Sequence, residues 1–143
     1  STLYHIAGSV DMSGTGKLYL YVNGVDDLGA VDTYTNDTIV WTRTDTFGIG
    51  AHPVTGADKM NGCMSELYLT NEYLDLSVAA NLQKLRMVGG KPEDPGSDGS
   101  TVTGTAPLIY LPNPFGTFET NAGTGGDFTV TGALTACASS PSD

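Results

Sequence analysis

The dipeptide Asn23-Gly24 follows directly on the alternating run Lys17-Leu18-Tyr19-Leu20-Tyr21-Val22, and no other feature constrains the chain more. Asn and Gly tolerate the positive φ that a two-residue hairpin turn needs, and such turns join antiparallel strands. Period-two alternation places Leu18, Leu20 and Val22 on one face of the strand and Tyr19 and Tyr21 on the other. Both faces are apolar enough to need a neighbour: one enters a core, and the aromatic one is covered or offered for contact.

Other strand-like runs surround this hairpin. Residues 2–11 precede it and end in the turn-rich 11–16. Beyond it lie 38–42 (with Ile39, Val40 and Trp41), 46–51 and 62–69. Residues 77–87 read as the one helix, with Ser77 as N-cap, Val78, Ala79, Leu82 and Leu85 at helical spacing, and Gly89-Gly90 as the stop. The Pro/Gly/Asp-rich run 91–99 reads as a linker. After it come short apolar runs at 107–111, 116–120 and 127–131, separated by Gly-rich turns, and a frayed polar end at 139–143. The expected core gathers Leu18, Leu20, Val22, Ile49, Leu67 and Leu69, with Leu82 and Leu85 at its margin.

The 16 acidic against 6 basic residues give a net charge of -10, which opposes binding to nucleic acid or to an anionic membrane surface. No apolar run is long enough to span a bilayer, so no membrane insertion is expected. Cys63 and Cys137 have neither zinc spacing nor a Cys-rich framework around them. Two buried free thiols are the favoured reading, with a bridge left open.

Four segments in order resemble the second half of laminin-G-like domains: residues 5–11, 18–24, the Phe47-Gly48-Ile49-Gly50 run, and 61–69. The resemblance implies an all-β, antiparallel β-sandwich of the concanavalin-A-like jelly-roll type, with one short helix and an extended Gly/Thr-rich arm. Residues 1–90 would be the C-terminal half of the sandwich, with its terminal helix at 77–87, and 91–143 the linker and arm. The strands that precede residue 2 in the family have no counterpart here, so upstream sequence or another chain is expected to supply a layer. Residues 75–85, 96–100, 107–111 and 123–132 further resemble the C-terminal region of laminin-G-like proteins of tailed bacteriophages. That implies a non-catalytic structural or adhesive virion component of capsid, fibre or tail. Its partners would be other virion proteins, copies of itself and host-surface glycan. The alternative is a secreted carbohydrate-binding module of a bacterial adhesin or enzyme.

Candidate site residues follow from chemistry. Tyr19, Tyr21, Tyr34 and Trp41 could form a platform for sugar rings, although strand aromatics are more often core. Asp26, Asp27 and Asp32 offer hard oxygens for the calcium ion that laminin-G-like folds commonly hold, against the plainer reading of a solvated acidic loop. No other cofactor is implied. Glycoside cleavage needs two carboxylates flanking one bond, and Glu66 stands after Ser65 without a close partner in sequence. No enzyme is expected.

Overall fold

A computed structural model describes residues 3–13, 17–29, 47–112 and 115–138. Its first sheet is a meander in the order β1 (Ile6–Asp11), β2 (Lys17–Val22), β3 (Val25–Asp26), all antiparallel. β1 pairs with β2 along its whole length, from Ile6 opposite Val22 to Asp11 opposite Lys17. Asn23 and Gly24 form the turn into β3 with φ of 53° and 78°, the left-handed geometry that the hairpin requires. Asn23 also ties the turn to β1: its N–H donates to the His5 carbonyl, and its Oδ1 accepts from His5 N–H at 2.9 Å.

The second sheet pairs β4 (Leu67–Leu69) with β5 (Ile109–Leu111), again antiparallel, with Tyr68 opposite Tyr110. Their rings meet edge to face at 6.1 Å, a favoured aromatic geometry. Residues 121–125 run beside β5 through bonds from Ala122 N–H to Tyr110 O, Thr124 N–H to Pro107 O and Gly125 N–H to Leu108 O. Asn121 locks this layer. Its Oδ1 accepts from Tyr110 and Gly123 N–H, and its Nδ2 donates to Leu108 O and Gly126 O. Among the described residues the fold is antiparallel β with one four-residue helix, α1 (Ala79–Leu82), and no helix is long and apolar enough to cross a membrane.

Several elements differ from expectation. Residues 47–51 form no strand: Gly50 has φ of 74°, Met60 N–H returns to its carbonyl, and His52 and Ala57 close the following turn. The strand expected at 62–69 is confined to β4, because Glu66 sits at φ 55° and breaks the extended run before it. Helix 77–87 shrinks to α1. Ser77 is not its cap, since its hydroxyl donates to Asp75 Oδ1 at 2.6 Å, and Val78 holds the N-cap position without a side-chain bond. No acidic residue in the first turn and no basic one in the last complements the helix dipole. Past Leu82 three-residue bonds (Lys84 N–H to Asn81 O, Leu85 N–H to Leu82 O) mix with four-residue ones (Arg86 N–H to Leu82 O), and Arg86 bridges to Pro92 in a hairpin. The run 91–99 is folded into turns closed by Asp94 and Asp98 carboxylates accepting from Gly96 and Ser100 N–H, with Pro95 and Gly99 buried. Of the later runs only 107–111 yields a strand, β5; 116–120 is turn, and 127–131 has no regular structure. The strand expected at 38–42 lies outside the described residues.

The core is also displaced. Leu76, Val102, Tyr110 and Leu111 are buried to 3% exposure or less, together with Pro107, while from β1–β3 only Ala7 joins them. None of Leu18, Leu20, Val22, Ile49, Leu67 and Leu69 is fully buried, and Leu18 and Leu69 are each 41% exposed. Leu82 and Leu85 are half-buried, at the margin where they were expected. In the β1–β2 ribbon the expected aliphatic core face is not buried. Along β1 the covered face is that of Ala7, Ser9 and Asp11, with Ile6 and Val10 open, whereas along β2 Tyr19, Leu20, Tyr21 and Val22 are all half-covered and Lys17 and Leu18 exposed. The covered face is held at its two ends by charged side chains. Arg86 packs its guanidinium against Gly24 and Gly90, and Lys17 reaches Asp75.

The cysteines are neither free nor buried. Cys63 and Cys137 form a disulfide with Cα atoms 6.0 Å apart, inside the range a bridge can span, and both residues are exposed. The turns at 50–60 and the return of the chain after β5 bring together two positions 74 residues apart.

Candidate binding face

Alternation along β2 puts Lys17, Tyr19 and Tyr21 on the covered face of the ribbon, and register places Asp11 beside Lys17 and Ser9 beside Tyr19. At the Lys17 end this face meets the loop between β4 and α1. Lys17 Nζ lies 3.5 Å from Asp75 Oδ2 and 5.9 Å from the centre of the Tyr73 ring, a distance at which cation–π attraction operates. Tyr19 is the neighbouring phenol that acts on the Tyr73 hydroxyl.

The two carboxylates are oriented by the same device. Asp11 Oδ1 accepts from the N–H and hydroxyl of Ser13, and Asp75 Oδ1 accepts from the N–H and hydroxyl of Ser77. These bonds hold both acids below the usual carboxylate range, with the Lys17 charge adding to the effect. The opposite shift acts on Tyr73. Partial burial, and then Asp75, Tyr19 and Asp11, push its phenol up to about 12, so it stays protonated and able to donate. The result is two phenols (Tyr73 38% exposed), an ammonium group and two anchored carboxylates within one patch. Such a patch offers the donors, acceptors and apolar surface that recognise a polyol ring.

Of the expected platform residues, Tyr19 belongs to this cluster and Tyr21 lies further along the same face, opposite Ala7 and beside Asp26 of β3. Tyr34 and Trp41 lie outside the described residues. Tyr73, Asp75, Lys17 and Asp11 were not singled out from sequence. The β1–β2 register could have pointed to Asp11 and Lys17, but nothing local points to the loop that carries Tyr73 and Asp75. The acidic residues expected to hold calcium are only partly placed. Asp26 and Asp27 are exposed at the β3 edge, Asp26 Oδ1 accepts from Leu28 N–H, and Asp32 lies outside the described residues. Among the described residues no group of three or more His, Cys, Asp or Glu side chains could hold a metal ion.

Glu66 does acquire a carboxylate neighbour, contrary to its isolation in sequence. Burial, and then the Asp94 charge, raise its pKa, and both acids push the buried Tyr110 phenol up to about 12, after burial itself. Asp94 is committed to closing its own turn through Gly96 N–H. His5 is half-buried, its pKa lowered by burial and by Arg86. His52 is a loop residue whose Nδ1 accepts from Val54 and Thr55 N–H.

The sequence model of the laminin-G family described as "Concanavalin A-like lectin/glucanases superfamily" matches residues 1–77, more than half of the 143-residue chain. No curated protein and no solved structure matches.

Proposed function

Because the chain belongs to the concanavalin A-like lectin/glucanase superfamily, we propose that it is a non-catalytic binding module whose contact surface is the Lys17–Tyr19–Tyr73–Asp75 cluster. The observation that carries this reading is the convergence of two phenols, an ammonium and two oriented carboxylates on the covered face of the ribbon. The superfamily supports carbohydrate or protein as ligand, and the cluster favours a neutral hexopyranose. Asp11 and Asp75 outnumber Lys17 there, and the chain's net charge of -10 repels sialylated or sulfated glycans. Carboxylates accept from sugar hydroxyls, Lys17 donates to ring or hydroxyl oxygens, and Tyr73 supplies apolar contact.

In the full reading this module is one half of a concanavalin-A-like jelly-roll sandwich in a virion component of capsid, fibre or tail, and it associates with its own copies. The C-terminal run 123–132 supports the virion assignment through its phage-like pattern. The open aliphatic face of Ile6, Val10, Leu18 and Val25 supports association, since an exposed apolar face of this kind is suited to contact. A secreted carbohydrate-binding module is the second reading. The exposed Cys63–Cys137 bridge favours it, because disulfides persist outside reducing compartments. Calcium, if used, would enter at the Asp26–Asp27 edge.

A glycan array probed with the wild-type chain, with Tyr73→Ala and with Lys17→Ala, each with and without calcium, tests the binding reading. Binding of neutral hexosides that both substitutions weaken is the expected result. Absence of glycan binding, or binding indifferent to both substitutions, overturns it. Mass spectrometry of purified virions separates the virion reading from the secreted one.

A further inference from the structure

We propose that the Cys63–Cys137 bridge is a reducible clasp that holds the segment 129–138 in place and releases it on reaction with a dithiol. Three observations carry this. Every residue from Thr129 to Ala138 is exposed and lies outside any strand or helix, including Val130 and Leu134. Among the described residues, the backbone bonds that anchor the chain after β5 end with Phe128 N–H to Glu119 O. The covalent tie at Cys137 is therefore the attachment that follows. Its other end, Cys63, lies in the exposed run before Glu66, so the tie fastens the segment just ahead of β4. Neither sheet depends on the tie for its ladder, since β1–β3 and β4–β5 are each paired through their own backbone bonds.

The segment and the ribbon both border one broad open concavity that takes in much of the described chain, with Val10, Leu18 and Leu20 of the ribbon and Val130 and Leu134 of the segment among its lining. The oxidised clasp keeps the segment at that border. Opening it frees an apolar, Thr-rich run from its place beside β4. The exchange is balanced. A thiolate of the dithiol attacks one Sγ and expels the other as a thiolate. The second thiol of the reagent then resolves the mixed disulfide. Two electrons and two protons pass to the protein, leaving Cys63 and Cys137 as thiols and the reagent as its own disulfide. Exposure of both cysteines gives the attacking thiolate access.

Backbone 15N relaxation measured by NMR on the whole chain, with and without dithiothreitol, tests the clasp. Thiol titration alongside it establishes that the bridge is present before reduction and absent after it. The expected result is a fall of the heteronuclear NOE within 129–138 to the values of a free chain end, with the values of 17–22 and 109–111 retained, and the same pattern in Cys137→Ser without reductant. If the Cys137→Ser chain does not fold, the reduced wild type decides alone. Two free thiols in protein purified without reductant overturn the proposal. So does an unchanged heteronuclear NOE at 129–138 after complete reduction, and so does an equal fall in all three regions, which would make the bridge a staple of the whole fold.

Discussion

The ribbon β1–β2–β3 and the region from Leu76 to Phe128 are opposites in construction. The ribbon is the most regular part of the described residues, with a six-residue ladder and a two-residue turn, yet only Ala7 in it is buried. The later region has a four-residue helix and one three-residue strand of its own, yet it supplies Leu76, Val102, Pro107, Tyr110 and Leu111. Family likeness follows regularity rather than burial, since the match ends at residue 77, where the buried cluster begins. Regular pairing and core formation are therefore separate achievements in this chain. Backbone geometry secures the first, and side chains delivered by turns secure the second.

Truncation is the strongest test of that contrast. Leu111→Ala, at a residue 1% exposed, should cost about 2–5 kcal/mol in chemical denaturation; a loss as small as that of a ribbon leucine would erase the distinction. Next comes the bridge. Closing a loop between positions 74 apart contributes up to about 4 kcal/mol by restricting the unfolded chain, so reduction should lower the Tm measured by calorimetry. An unmoved Tm would mean that neither region relies on the tie. Asn121→Ala removes the acceptor for Tyr110 and Gly123 N–H and the donor to Leu108 and Gly126, which should cost about 1–3 kcal/mol. A negligible loss would show that the turns hold the later region without it.

A smaller effect should appear with pH at the junction of the two regions. The lowered pKa of His5, caused by burial and then by Arg86, means that the folded chain prefers the neutral ring. The unfolded chain takes up its proton first, so this contribution is whole above the ordinary value of 6.5 and is lost as pH falls through that value toward the folded pKa. Denaturation midpoints compared between neutral and mildly acidic pH, in wild type and His5→Asn, should show a slope that the variant lacks. Smallest of all should be Leu18→Ala, at a residue 41% exposed, with a loss under about 1 kcal/mol in the isolated chain. A loss equal to that of Leu111→Ala would place the true core on the aliphatic face.

The sequence made some of these features legible and hid others for physical reasons. The Asn23-Gly24 turn could be read because its φ requirement is local, and the Pro107–Leu111 run because it is short, apolar and bounded by turns. Which face of the ribbon is covered could not be read, because alternation separates faces without saying which one meets a neighbour. The helix was overextended because spacing of Val78, Ala79, Leu82 and Leu85 registers a stripe, while the competing Ser77–Asp75 bond registers only in three dimensions. The disulfide was missed because proximity across 74 residues leaves no local trace. The proposed contact cluster was half-visible: Tyr19 stood out as a strand aromatic, whereas Tyr73 and Asp75 arrive from a loop whose position only the fold decides.

Arg86 lies against two glycines from distant parts of the chain. A β-carbon at Gly24 or at Gly90 would stand 2.8 Å from its guanidinium nitrogens. Substitutions at these three positions should therefore not act independently in a mutational survey. Gly24→Ala should be more harmful with Arg86 present than after Arg86→Ala, and the same should hold for Gly90→Ala. What remains after Arg86 is removed should be the strain of the backbone alone. Variation at the hairpin turn is thus conditional on a side chain more than sixty residues away, and a library that scores each position singly would mistake one shared constraint for three.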